Sequence, residues 1–367
     1  MPDMRFAPPP SLRIADRSGG MNQMTVRSFN ERLIMSLLLQ NEGMTRLAIG
    51  QASGLSAQTI SVIVRALERD GFVSPGVAVR GRVGPPTVPV RLNPEGAFSI
   101  GVNIETCNLD VVLIDFVGEI KFRNSVKYTH PDCQEIARLV LELIGSAIST
   151  LSPDKRARVA GVGLTLPVDI DDRIASGNTD SLANFDFESL IRDATGLDVY
   201  IQDNITAAAS AESMFGAARG LNDYLFCFAG PQISTRLILG NRIYAGEPPN
   251  ALDDNALALL DRLLDIRAAD PALEAPGAIE LTEEFDELSQ IVITLSKFVS
   301  IKTVILGGLL PQAFGRDISQ KIQSQLEDHY GTDHAPSLKF SLLGPWLLAM
   351  GAACLTFHSR FMAENTI

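Results

Sequence analysis

The chain runs to 367 residues, 46% of them hydrophobic, with a formal net charge of −12. That length exceeds one ordinary core and suits a small module joined to a larger domain of two lobes. The longest apolar stretches, such as residues 345–357, are broken by glycine and stay short of the roughly 18 residues of a membrane span, so a soluble protein with no membrane partner is expected.

Pro8, Pro9 and Pro10 stand near the start with no apolar core around them, which argues against a secretory signal. Residues 1–20 read as a flexible tail, and the cytoplasm follows as the default compartment. Cys107, Cys133, Cys227 and Cys354 are scattered without paired spacing, which fits neither a disulfide framework nor a zinc site. They read as buried small hydrophobes, and no metal or cofactor is expected.

Charge is divided unevenly along the chain. Residues 1–95 hold eleven Arg, no Lys and seven acidic residues, a balance of +4, whereas the remainder sets 20 basic against 36 acidic residues, a balance of −16. A basic head on an acidic body suits a DNA reader with a separate effector or assembly domain.

Within the head, Phe29, Leu33, Ile34, Leu37 and Leu38 fall at helical spacing and predict a first helix over residues 28–40 with one buried stripe. A second short helix starts near Thr45 and stops before Gly54, and Ser56 caps a third that runs to about Asp70. Gly50 and Gly54, with Ile49, Leu55, Ile60 and Ile63 around them, supply the small residues and apolar contacts that the tight turn of a helix-turn-helix requires. In the third helix Ile60, Ile63, Val64 and Leu67 form the inward stripe, so Gln58, Ser61, Arg65 and Arg69 point outward.

An outward polar face at a helix N-terminus is what enters a major groove. Gln58 is suited to an adenine edge, and Thr59 and Ser61 to a base or a phosphate. Residues 77–84 read as two short extended runs around turn residues, a wing on which Arg80 and Arg82 grip phosphates or a minor groove. Pro85, Pro86 and Pro89 then stiffen the connection to the body. The DNA-contacting set is thus Ser56, Gln58, Thr59, Ser61, Arg65, Arg69, Arg80 and Arg82, the partner is double-stranded operator DNA, and the winged helix-turn-helix spans residues 21–95.

Three runs carry a specific resemblance: Asn30-Glu31-Arg32-Leu33, the stretch from Gly54 to Ser61, and the stretch from Gly81 to Pro89. Together they resemble the DNA-binding half of ROK-family regulators, a family that joins repressors, open reading frames and kinases.

From residue 98 onward the pattern reads as an α/β fold. Strands are predicted at 99–104, 109–115 and 119–128, then a helix carrying Ile136, Leu139, Val140, Leu143, Ile144 and Ala147. A strand at 159–166, a short helix at 187–194, a strand at 199–202 and an Ala-rich helix at 204–218 follow. The pattern then begins again with strands at 224–229 and 236–244, turning at Gly240-Asn241, several helices, a strand at 303–306 and the Gly307-Gly308 turn. Two similar lobes suggest a two-lobed actin-like ATPase domain of the sugar-kinase-like, RNase H-like kind. The resemblance implies the same over residues 96–367.

What the resemblance implies about chemistry can be checked position by position. Family kinases place an Asp and then small Gly residues in a first phosphate hairpin, where this chain has Asn103-Ile104-Glu105-Thr106. The family's catalytic Asn-Asp aligns with Asp203-Asn204, which puts an amide at the base position. The Gly-rich second phosphate loop is reduced to Gly230 followed by Pro231-Gln232-Ile233, and the sugar clamp and Cys/His zinc element expected after Gly246 are replaced by an amphipathic helix at 253–264 without His or Cys. Gly307-Gly308 and Gly351-Ala352-Ala353 match the family, yet read equally well as turn and helix-packing residues.

The body therefore reads as a kinase scaffold without turnover, kept for assembly or for binding a small sugar effector, with Asn184, Asp203 and Asn204 as the candidate ligand residues. Turn formation by Asn184 and helix capping by Asp203 or Asn204 are the structural alternatives. The leading reading is a homodimeric or homotetrameric repressor of carbohydrate transport or catabolism genes, not an enzyme. Its alternatives are a carbohydrate kinase with a regulatory head, and a protein-interaction scaffold acting through helices at 253–266 and 283–299.

Overall fold

The computed structural model describes residues 23–78, 87–105, 107–128, 132–166, 182, 185–229, 233–244, 292–293, 301–308, 312–332 and 334–363. The chain divides into two units, Met1–Ala207 with Ala349–Thr366, and Ala208–Leu348.

Three helices open the first unit: α1 (Gln23–Gln40), α2 (Arg46–Ser53) and α3 (Ala57–Arg69). Local chemistry sets the boundaries of the second and third. Thr45 caps α2 by accepting the Ala48 N–H at 3.1 Å, and Gly54 ends it at φ +71, a left-handed conformation that costs glycine little. Ser56 then caps α3 by accepting the Thr59 N–H at 3.2 Å. The two helices bend by 116° across this turn, within the range of a helix-turn-helix. A Cβ on Gly50 would sit 3.1 Å from Ile60 Cδ1, so α2 can approach α3 closely there. Ile34, Met35, Leu38, Ile49, Ile60, Ile63, Val64 and Leu67 make the buried core of the head.

Two expectations about the head are corrected. Phe29, assigned to the inward stripe of the first helix, is 40% exposed, while Met35 and Leu39 are buried. At the wing, β1 (Val73–Pro75) pairs antiparallel with β2 (Val90–Leu92); of the expected wing at 77–84 only residues 77–78 are described, and these form no strand. Residues 89–92 read as connection because of their proline. Pro89 lacks an N–H, but its carbonyl accepts the Gly76 N–H at 2.7 Å, and Val90 exchanges two backbone hydrogen bonds with Met44, so the segment pairs on both sides.

A short 3-10 turn (Pro94–Gly96) leads into a five-stranded sheet ordered β5-β4-β3-β6-β7. Its strands are β3 (Phe98–Ile104), β4 (Asn108–Asp115), β5 (Ile120–Lys127), β6 (Val159–Leu166) and β7 (Val199–Asp203). β3, β4 and β5 are antiparallel neighbours, whereas β6 and β7 join in parallel. Helices α4 (Cys133–Ser149), α5 (Pro153–Arg156) and α6 (Phe187–Thr195) lie in the connections. Ile136, Val140, Leu143 and Ile144 of α4 pack with Ile100, Val102, Leu113 and Leu164 in one apolar cluster. α7 (Asn204–Phe215) follows β7.

The second unit repeats this plan. Its sheet is ordered β10-β9-β8-β11-β12, from β8 (Tyr224–Ala229), β9 (Ile233–Leu239), β10 (Arg242–Tyr244), β11 (Thr303–Gly308) and β12 (Ser337–Phe340). Again the first strand in sequence is central, its two hairpin partners are antiparallel on one side, and two parallel strands complete the other. α8 (Gln312–Tyr330) packs Ile322 and Leu326 against Leu225, Val304 and Leu306. The sheet orders thus bear out the predicted internal repetition. The helices expected at 253–266 and 283–299 fall on residues of which only 292–293 are described. Cys133, Cys227 and Cys354 are buried, and Cys107 is exposed against expectation.

The chain closes with α9 (Leu347–Phe361), whose residues from Ala349 onward belong to the first unit. A Cβ on Gly101 of β3 would overlap the Ala349 carbonyl oxygen, and one on Gly163 of β6 would overlap that of Ala352. Glycine is thus required at the two places where the helix backbone lies against the sheet. Gly163→Ala is expected to destabilise the first unit by about 3 kcal/mol or more, at the upper end of overpacking costs. The change in urea midpoint measures it.

Candidate nucleic-acid interface

On α3 the exposed residues are Ala57, Gln58, Val62, Arg65 and Arg69. Gln58, Val62, Arg65 and Arg69 follow one another at helical spacing and so share one face. Ser61 is half-exposed beside them, its hydroxyl donating to the Ala57 carbonyl at 2.8 Å. The hydroxyls of Ser56 and Thr59 are hydrogen-bonded to each other at 2.8 Å, so both also build the helix cap. Arg69 Nε pairs with Asp70 at 3.0 Å and Arg46 with Glu68 at 3.3 Å. No such pair involves Arg65 in the described structure, which leaves its guanidinium to solvent. Arg80 and Arg82, assigned to the wing, lie outside the described residues.

The base of the head is held by polar and aromatic contacts that the sequence pattern did not reveal. The Arg158 guanidinium donates to the carbonyls of Asp70 (3.4 Å) and Gly96 (3.1 Å), and Asn93 donates to that of Gly71 at 2.7 Å. Phe72 and Phe116 stack with Phe361 at ring separations of 5.5 and 5.0 Å, and Phe116 meets Phe357 at 5.3 Å. Each such pair contributes roughly 0.5–1.5 kcal/mol beyond area burial.

From the other side of the head, Arg32 of α1 donates to the Ser359 carbonyl at 3.3 Å. Ser36 donates to the Met362 sulfur at 3.6 Å and accepts the Ala363 N–H at 3.0 Å. Ser36 is buried there, and Glu31 is buried as well. The signal available in the sequence was faint: Ser36 among the apolar residues 33–39 of α1, and Phe357 and Phe361 one turn apart in α9.

In the body, the residues that the resemblance marked gather at the ends of β3, β6 and β7. Asn103 is buried, opposite Asp110 in the β3–β4 register, and its Oδ1 accepts the Thr165 hydroxyl at 2.9 Å. Asn204 Nδ2 donates to Glu105 Oε1 at 2.9 Å, joining the first residue of α7 to the loop after β3. Tyr128 donates to the Glu105 carbonyl, and burial followed by the Glu105 charge pushes its phenol well above the ordinary value. Asp203 Oδ1 accepts the Thr206 N–H at 2.7 Å and so caps α7. Asn184, the second phosphate loop at 230–232 and the segment at 246–264 lie outside the described residues.

With this geometry in view, the comparisons are consistent. A family model described as winged helix-turn-helix DNA-binding matches residues 30–74, and one described as ROK family matches residues 99–251. An uncharacterized protein of Sinorhizobium fredii is 25% identical over 91% of this chain and 92% of its own length. The xylose repressor of Bacillus subtilis is 22% identical over 61% of this chain, a match that spans 59% of the repressor. Among solved structures, a ROK family transcriptional regulator, homologous to the E. coli MLC protein, superposes with TM-score 0.61 at 19% identity, covering 93% of this chain and 98% of that one. The fold is therefore a winged helix-turn-helix followed by a sugar-kinase-like domain, the build of a DNA-binding transcriptional regulator. Residues 99–251 of that body are what resembles the ROK family.

One titratable group sits in the joint between head and C-terminal helix. His358 is half-buried with its Nε2 shut off from solvent and without a hydrogen-bond partner among the described residues, and desolvation followed by the nearby Arg32 charge lowers its pKa from 6.5. The unfolded chain therefore takes up this proton at a higher pH than the folded one. Stability falls as pH drops through about 6.5 and levels off below the folded pKa. His358→Gln is expected to flatten the fall in urea midpoint between about pH 7 and pH 5.

Proposed function

We propose that this chain is a transcriptional repressor that reads a roughly palindromic operator with α3, working in the cytoplasm as a homodimer or homotetramer. The observation that carries the reading is the exposed stripe of Gln58, Val62, Arg65 and Arg69 on the second helix of a capped helix-turn-helix. Gln58 has the donor and acceptor of a bidentate adenine contact, and Arg65 has the charge for guanine or phosphate. Arg69, Arg80 and Arg82 supply phosphate contacts, and the hydroxyls of Ser56, Thr59 and Ser61 add contacts at the helix N-terminus. The half-length match to a xylose repressor supports control of carbohydrate genes by a small sugar effector, with Asn184, Asp203 and Asn204 as the candidate ligand residues.

The body acts without phosphoryl transfer. Two features support this: an amide at 204 cannot serve as a general base near neutral pH, and the Glu105 carboxylate is bonded to that amide in the loop where a phosphate group would need donors. A carbohydrate kinase with a regulatory head is the competing reading. ATP-dependent phosphorylation of hexoses or N-acetylhexosamines within a few powers of ten of the usual ~1–100 per second would establish it.

For the head, Gln58→Ala is expected to lose roughly 1–3 kcal/mol of discrimination at particular base pairs of a selected duplex. Arg65→Ala should weaken binding and reduce its salt dependence if the side chain meets phosphate, and relax one base preference if it meets guanine. Fluorescence titrations at several salt concentrations read both. If neither substitution changes affinity, base preference or salt slope in a folded protein, an interaction scaffold becomes the better reading.

A further inference from the structure

Val62 interrupts an otherwise polar stripe. It lies one turn after Gln58 and one turn before Arg65, and it is 57% exposed. The inward positions of α3 are filled by Ile60, Ile63, Val64, Ala66 and Leu67, so Val62 belongs to the outward face with Gln58, Arg65 and Arg69. A single exposed apolar residue needs no explanation on an ordinary surface. Here, however, the residue is β-branched, which lowers helix propensity, and it stands between an amide and a guanidinium on the one helix suited to a groove.

Of the groups displayed in the major groove, one alone is apolar: the C5-methyl of thymine. Opposite cytosine or guanine, the isopropyl group would cover an amino or carbonyl edge without offering a hydrogen bond, and that desolvation is costly. Opposite thymine it buries methyl against methyl. Arg65 and Arg69, which follow Val62 on the same face, carry the charge to meet phosphates beside such a contact.

We infer that Val62 is a specificity-determining residue that selects thymine at one position of each half-site by contact with its C5-methyl group. The inference rests on the reading of α3 as the base-reading helix, and the test separates the two. Full-length protein selects duplexes from a random-sequence library, and each thymine of a recovered duplex is replaced in turn by 2′-deoxyuridine, which removes the methyl and leaves the pairing edge intact.

Wild-type affinity is expected to fall about fourfold at one thymine per half-site, the worth of one buried methyl group. Val62→Ala should bind the thymine duplex more weakly and show no further loss on the uridine replacement at that position, with an unchanged salt slope. Uniform tolerance of uridine, or the same methyl dependence in Val62→Ala, overturns the assignment of Val62 while base reading by α3 stands. A Val62→Ala protein that keeps its base preference but changes its mass in light scattering assigns the patch to contact between copies and also overturns it. Recovery of no duplex above random background overturns base reading itself, and this inference with it.

Discussion

The close approach of α9 to the first sheet is the contact on which the rest of this unit depends. Two strands carry no side chain where the helix backbone crosses them, at Gly101 and Gly163. With α9 seated there, Phe357 and Phe361 project toward Phe116 and Phe72, and the residues just beyond reach Ser36 of the first helix. α1 meets α9 and the residue just after it through hydrogen bonds that close loops of more than 300 residues. Such contacts carry a large closure entropy, and the aromatic and apolar burial around them has to offset it.

This joint has a consequence for the head. A winged helix-turn-helix on a flexible linker needs only one buried face on its first helix. Here α1 is buried on a second side as well, where Ser36 is removed from solvent between Met362 and Ala363. Arg158 adds to the joint by binding carbonyls at the end of α3 and of the turn before β3. The surface of α3 bearing Gln58, Val62 and Arg65 takes no part in these contacts and stays exposed.

The body repeats one sheet plan twice, and polar groups at one strand end of the first sheet bond to one another. Asp203 is spent on a helix cap, Asn204 on Glu105, and Asn103 on Thr165. The satisfaction is incomplete: Asn103 Nδ2, Asn204 Oδ1 and Asp110 Oδ1 are buried without a hydrogen-bond partner among the described residues, so polar capacity is left over at this strand end.

Local sequence determined a good deal. Gly54 at a positive φ, Ser56 as a cap and the inward stripe of α3 are short-range effects, and the helix-turn-helix could be read from them because backbone conformation and capping act within a few residues. The strands of both sheets except β12 were legible to within one to three residues, since alternation and turn residues are also local, and the repetition of the pattern announced two lobes. What only the tertiary structure decided was partnership. The pairing of 73–75 with 90–92, the burial of Ser36, the exposure of Phe29 and of Cys107, and the bond between Asn204 and Glu105 all depend on residues distant in sequence. The physical reason is that hydrophobic periodicity shows that a face will be covered but carries no information about which distant segment covers it, or about which polar group an isolated polar residue will find there.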